Sequence, residues 1–166
     1  VSIDGLRPDL VPQVNPPNLS ALARRGAATW QAQTITPSNT LPSHTSMLTG
    51  YQPARHGITW DDYVPANGSI RVPTIFIAAR RAGHRTALVA GKEKFNTFRD
   101  TAEMDVFVGG TRADADVTDQ AVAQLYAGVG LLFVHLPDVD LSGHATSWMS
   151  ATYLDKVAKA DEALGR

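Results

Sequence analysis

Two apolar runs, Thr86-Ala87-Leu88-Val89-Ala90 and Leu131-Leu132-Phe133-Val134, show no alternation with charged residues. A strand with one wet face alternates apolar and polar side chains, so an unbroken run belongs to a strand covered on both faces. The segments around these runs carry helix signals. Pro17-Asn18 leads into Leu19, Leu22 and Ala23, and Arg24-Arg25 and Gly26 close the pattern. Pro42 to Leu48 has Pro at an early helical position and Gly50 just past its end. Pro73 to Ala82 places Ile75, Ala78, Ala79 and Ala82 on one face before Gly83. Asp116 is expected to cap a helix bearing Ala121, Val122 and Leu125, and Leu154 to Arg166 reads as a last helix. Helices alternating with short buried strands specify an α/β fold, a mostly parallel central sheet flanked by helices. Tyr51 to Arg71 is the least regular stretch, with a turn signal at Asn67-Gly68.

A chain of 166 residues, 43% hydrophobic and 19% charged, fits one globular domain. Its formal net charge of −1 gives no global attraction to duplex nucleic acid or to an anionic membrane. No apolar run approaches the roughly 18 residues of a spanning helix. With no cysteine, any metal must be held by Asp, Glu or His. The chain opens on Val1-Ser2-Ile3-Asp4 without an initiator Met, and its last helix has no closing element. Truncation at both ends, with a targeting segment upstream, is therefore the expectation.

In open α/β sheets the site lies at the carboxyl ends of the strands. Asp4 ends the first strand, and Asp138 and Asp140 follow the run at Leu131–Val134. Asp140 and His144, four apart, reach one ion either across a helical turn or around a tight loop; a capping Asp and a surface His is the plainer account. Thr40 lies in a hydroxyl-rich turn before Pro42, at the mouth of a helix, where unpaired N–H groups favour phosphate and a developing oxyanion. Its hydroxyl becomes a nucleophile only with a base or metal beside it. As turn and capping residues, Ser38, Asn39, Thr40 and Ser43 need no chemistry at all, and His44 reads equally as ligand or packing residue. Gly91-Lys92 lacks the earlier Gly and the following Ser or Thr of a phosphate-binding loop. Lys92 and Lys94 are then a local anion contact or plain surface lysines. Trp30, Trp60 and Tyr63 are candidates for stacking, though such residues usually pack at a core or rim.

In order along the chain, Ser2-Ile3-Asp4-Gly5, Thr36-Pro37-Ser38-Asn39-Thr40-Leu41-Pro42-Ser43-His44, Leu48-Thr49-Gly50, His56-Gly57-Ile58, Gly91-Lys92-Glu93-Lys94 and Asp140-Leu141-Ser142-Gly143-His144 form a set. That set resembles the type I phosphodiesterase/nucleotide pyrophosphatase family of the alkaline phosphatase superfamily, over essentially the whole chain. The resemblance implies an alkaline-phosphatase-like sheet, with residues 1–166 as the N-terminal portion of the catalytic domain. It also implies a site with two Zn2+ ions. Asp4 matches an aspartate of the first metal, Thr40 the metal-bound nucleophile, and Asp140 and His144 two ligands of the other ion. Two ions about 4 Å apart suit an in-line displacement through a phospho-threonine intermediate. The substrate would be a small phosphoester or nucleotide, and such enzymes are commonly periplasmic or extracellular.

Two departures accompany the resemblance. Where the family places an Asn that holds a phosphoryl oxygen, this chain has Asp61, whose carboxylate cannot donate unless protonated and repels an anion. An Asp-His pair and a late His that complete the metal shells have no counterpart in the expected order before Arg166; His44, His84 and His135 do not fill it. Phosphomonoester or phosphonate hydrolysis on the same scaffold, or a non-catalytic relative serving as a binding module, are the competing readings. With two ligands for each ion against the usual three or four, the 166-residue chain alone is expected to be inactive or nearly so. Incubation with zinc and bis(p-nitrophenyl) phosphate checks this, and multiple turnovers by the isolated chain would contradict it.

Overall fold

The computed structural model describes residues 1–99, 101 and 103–166. Along the chain the strands are β1 (Ser2–Ile3), β2 (Thr86–Ala90), β3 (Val106–Val108) and β4 (Leu131–Leu136). The helices are α1 (Val11–Val14), α2 (Pro17–Arg25), α3 (Thr40–Thr49), α4 (Pro53–His56), α5 (Ile75–Arg81), α6 (Asn96–Arg99), α7 (Asp114–Tyr126), α8 (Asp138–Thr146) and α9 (Ala151–Gly165). The four strands form one sheet in the order β1-β4-β2-β3, and every pairing is parallel. The expected architecture, a parallel sheet between helices, is what the chain adopts.

Alternation along the strands divides the interior into two cores. Val89 of β2 and Val134 and Leu136 of β4 face one way, onto Val117 and Ala121 of α7, Val139 of α8 and Tyr153, Val157 and Ala160 of α9. Leu88 and Ala90 of β2 face the other way, onto Leu41 and Leu48 of α3, Ile58, Phe76 of α5, Phe95 and Phe98. All five residues of β2 are buried, as the unbroken apolar run requires. The same alternation decides the placement of functional groups. Ile3 packs against the first core, so its neighbours Ser2 and Asp4 turn toward α3. His135, between Val134 and Leu136, turns the same way.

Helix ends are closed by side chains from elsewhere in the fold. The first N–H groups of α2, those of Asn18 and Leu19, donate to the buried Asp161 carboxylate of α9 at 3.1 and 2.8 Å; unpaired amide groups at a helix start are thereby satisfied. The starts of α7 and α8 are joined reciprocally. Asp138 N–H donates to Asp114 Oδ1 at 2.9 Å, and Asp114 N–H donates to Asp138 Oδ1 at 3.3 Å. Lys156 of α9 pairs with Asp138 at 2.8 Å.

Several boundaries differ from the sequence reading. Helix α3 begins at Thr40, two residues before Pro42, so the threonine occupies the first turn itself. Helix α7 begins at Asp114 with Ala113 at its N-cap. Asp116 is not the cap; it pairs with Arg112 at 2.6 Å on the outer face. The stretch from Tyr51 to Arg71 contains α4 and a 3-10 turn at Pro65–Asn67. Strand β3 was not expected, because its three residues are only half-buried. Asp140 and His144 lie on one face of α8, which resolves the helix-or-loop alternative in favour of the helix.

Burial pushes the Asp114 carboxyl up to about 6, with the nearby Asp138 charge adding to it and the Asp138 N–H and Lys156 opposing. The unfolded chain releases this proton near pH 4, so between about pH 4 and 6 the native state binds more protons. The contribution of Asp114 to stability therefore decreases as pH rises through that window, while His44, whose pKa is lowered to about 4, contributes in the opposite direction. Asp114→Asn keeps an acceptor for the Asp138 amide but cannot ionise, so across that window its urea midpoint should change with pH by a more positive slope than the wild type's. Equal slopes for the two proteins would contradict this.

Candidate functional site

Asp4 leaves β1 at its carboxyl end, and its backbone N–H extends the ladder by donating to Leu136 O at 3.0 Å. The side chain is almost enclosed. One oxygen, Oδ2, receives three groups: the Thr40 hydroxyl at 3.1 Å, the Lys92 ammonium at 2.7 Å and His135 Nε2 at 3.2 Å. Burial alone would raise the Asp4 pKa, but His135 and Lys92 outweigh it and hold the carboxyl far below the usual carboxylate range. It is an anion at every ordinary pH.

Thr40 is brought to Asp4 as the first residue of α3. His44, one turn later, faces the same way. Its Nδ1 lies 2.7 Å from the Thr40 carbonyl, which only accepts, so Nδ1 carries the hydrogen and Nε2 accepts from the Ser2 hydroxyl at 2.8 Å. Burial first, then the nearby His135, lowers the His44 pKa to about 4, with Asp4 opposing; the ring is neutral at neutral pH. Asp4, His44 and His135 offer one oxygen and two nitrogens within 4.8 Å of one another. His135 is fully buried and its Nδ1 has no partner among the described residues. This donor set fits a zinc-like ion, since carboxylate oxygen and neutral imidazole are its ordinary ligands.

Asp140 comes from the first turn of α8 and His144 from the last, with Oδ1 and Nε2 3.6 Å apart. Asp140 is nearly enclosed, whereas the His144 side chain is 73% exposed. Lys92 joins the two halves of the site, because its ammonium also contacts Asp140 Oδ2 and stands 3.5 Å from Thr40 Oγ1. Thus Asp4, Thr40, Asp140 and His144 converge on the carboxyl edge of the sheet, as their order in the chain anticipated. Asp61 is there too, lining the cleft. Its Oδ1 accepts from the Leu41 N–H at 2.8 Å, capping α3, and its Oδ2 is neutralised by Lys94 at 2.6 Å.

The cleft above these groups has a volume of about 920 Å³ and is lined by Asp4, Thr40, Asp140, His144, Met47 and Trp148, among others. Trp148 packs edge-on against His144 and Tyr153, at centroid distances of 5.4 and 5.6 Å. Of the aromatic residues proposed from sequence, Tyr63 lines an adjoining lobe, Trp60 packs against the α3-side core, and Trp30 is exposed. The residues that sequence reasoning missed are His135, Lys92 as a site member, and Trp148. For His135 a signal existed: its place between Val134 and Leu136 puts it on the opposite face from both, level with the end of β1.

The type I phosphodiesterase / nucleotide pyrophosphatase family matches residues 1–166, the entire chain. No curated protein matches closely in sequence. Among solved structures, murine ectonucleotide pyrophosphatase/phosphodiesterase 5 superposes with a TM-score of 0.78 at 20% identity, covering 99% of this chain and 49% of that one. An inactive variant of the same murine protein, in complex with AMP, gives 0.77 at 19%, covering 99% and 49%. Phosphonoacetate hydrolase from Sinorhizobium meliloti 1021, in complex with phosphonoformate, gives 0.73 at 22%, covering 98% and 50%. The chain spans about half the length of these structures.

Gly5 is the hinge between Asp4 and the cleft wall. Its φ is +71°, and a Cβ there would lie 2.7 Å from Asp140 Cα, while its carbonyl accepts from the buried Tyr153 hydroxyl at 2.8 Å. Gly5→Ala should therefore destabilise the fold by about 1–3 kcal/mol, lowering Tm by several degrees in a calorimetric scan. An unchanged Tm would show that α8 does not rest on this turn.

Proposed function

This chain belongs to the type I phosphodiesterase/nucleotide pyrophosphatase family, and on that premise we propose that it is the nucleophile-bearing part of a metal-dependent phosphoester hydrolase working through a phospho-threonine intermediate. The observation that carries the reading is the Thr40 hydroxyl, held in the first turn of α3 and donating to Asp4 Oδ2 at 3.1 Å.

Asp4, with His44 and His135 as nitrogen donors, would hold one zinc ion, and Asp140 with His144 would contribute to a second. A bound zinc ion supplies Lewis acidity, lowering the pKa of a coordinated hydroxyl and neutralising a phosphoryl or leaving-group oxygen. The chain's own residues do the rest. Asp4 accepts the Thr40 hydrogen bond and so turns an oxygen lone pair toward the cleft. Its strongly depressed pKa makes it an orienting group rather than a proton store. Thr40 Oγ1 forms a bond to phosphorus as the bond from phosphorus to the ester oxygen breaks on the opposite side, and the Thr40 hydroxyl proton passes through solvent to the departing oxygen. Water then cleaves the Thr40–phosphate ester, regenerating the hydroxyl and releasing the phosphoryl product. The positive end of the α3 dipole favours the negative charge that builds on the phosphoryl oxygens. His44, whose Nδ1–H donates to the Thr40 carbonyl, fixes the backbone from which the nucleophile projects, and zinc on its Nε2 would take the place of the Ser2 hydroxyl.

Family membership favours a small phosphodiester or nucleotide substrate, and the similarity to the murine protein solved with AMP agrees with that class. Phosphonate hydrolysis on the same scaffold is a second reading. It is favoured by Lys92 and Lys94, whose ammonium groups meet carboxylates of the site at 2.7 and 2.6 Å, and by the likeness to phosphonoacetate hydrolase. Export to the periplasm or cell exterior is the expected setting, and among the described residues no helix is long and apolar enough to cross a membrane.

Kinetics of the full-length protein test the reading. Thr40→Ala should lower kcat for an aryl phosphodiester by roughly 10³-fold or more, while Thr40→Ser retains measurable turnover. The same pair of variants assayed on phosphonoacetate separates the two substrate classes. Thr40→Ala with near wild-type kcat on both would overturn the assignment of the nucleophile.

A further inference from the structure

Lys92 is the cation at the centre of the site, and its position is built rather than incidental. It follows β2 by two residues. The intervening Gly91 is packed so closely that an added Cβ would lie 2.5 Å from Pro137 Cγ and 2.7 Å from Arg112 O. The backbone entering Lys92 is therefore fixed against the connection between β4 and α8. From there the side chain, 11% exposed, crosses the strand ends and places Nζ on Asp4 Oδ2, on Asp140 Oδ2 and within 3.5 Å of Thr40 Oγ1. The ammonium donates to both carboxylates, so one positive charge is shared between Asp4 and Asp140.

These three oxygens are the ones that metal binding would require. A divalent ion drawn to Asp4 or Asp140 meets a positive charge already within hydrogen-bonding distance of both, and the repulsion at such a separation in a largely enclosed site is severe. The two cations exclude one another. We propose that Lys92 is a resident counter-cation that holds Asp4 and Asp140 together in the metal-free protein, and that metal loading displaces it from between them. The arrangement has a physical rationale. Two nearly enclosed carboxylates without a cation would repel each other and pull the ends of β1 and α8 apart. The lysine keeps the ligand oxygens in place until an ion of higher charge takes them.

The inference rests on the metal-dependent reading above, and the experiment separates the two. Zinc affinity is measured by competition with a chelating dye for the full-length wild type, Lys92→Met, Lys92→Gln and Lys92→Arg. Removing the ammonium should tighten zinc binding by about 10–100-fold, the range over which neighbours of a metal ligand usually act, while Lys92→Arg stays near the wild type. Zinc should also raise Tm more in Lys92→Met than in the wild type. If Lys92→Met and Lys92→Gln fold only when zinc is added, the proposal is likewise supported, because the ion then replaces the lysine charge. If both remain unfolded in saturating zinc, it fails. Equal or weaker affinity in folded Lys92→Met overturns the proposal and leaves the metal-dependent reading standing. No zinc binding by any of the four proteins removes both.

Discussion

One carboxylate oxygen organises this molecule. Asp4 Oδ2 takes a hydroxyl from α3, an ammonium from the loop after β2 and an imidazole from β4. A charge held so far from solvent is tolerated only where opposite charge and hydrogen bonds replace the water it has lost. Three separate parts of the chain must therefore arrive together for the strand end to be stable at all. The same requirement assembles the chemistry, because the groups that compensate Asp4 are a nucleophile candidate, a nitrogen donor and a competing cation.

The sheet makes this convergence possible. Strand β4 lies between β1 and β2, so the carboxyl ends of three strands stand side by side. The pleat sends alternate residues to opposite cores, and Ser2, Asp4 and His135 fall on the side of α3. Gly5 and Gly91 then allow close approach where a side chain would collide, against Asp140 and Pro137 respectively. The polar cluster is consequently bounded by backbone on two sides rather than by mobile side chains. Precise positioning of a nucleophile and its partners depends on such rigid support.

Much of the fold could be read from the amino acids alone, because the runs at residues 86–90 and 131–134 show no alternation with charged residues and the helices at 17–25 and 75–81 carry clear punctuation. The site was legible to the extent that its members end strands or start helices: Asp4, Thr40 and Asp140 all do. For His144 the four-residue spacing to Asp140 is equally that of a surface histidine, and only the resemblance assigned it a ligand role. What escaped has specific physical reasons. Strand β3 is short and half-buried, so its pattern is too weak to distinguish from a loop. Asp116 has the residue type of a cap, but Arg112 competes for it and Ala113 takes the position. Lys92 has the ordinary appearance of a surface lysine, and only its long side chain, reaching back over the strand ends, makes it part of the site. The balancing of Asp61 by Lys94 is equally a matter of three-dimensional proximity, since 33 residues separate the pair.

What remains is the claim that Thr40, held by Asp4, is the atom that attacks phosphorus. Acid-quenched turnover of the full-length protein with an aryl phosphodiester or nucleotide, followed by peptide mass spectrometry, addresses that claim directly. The account predicts a phosphoryl adduct on the peptide containing Thr40, localised to its hydroxyl and absent without substrate. Substrate turnover accompanied by an adduct on a different side chain, with Thr40 unmodified, would contradict it.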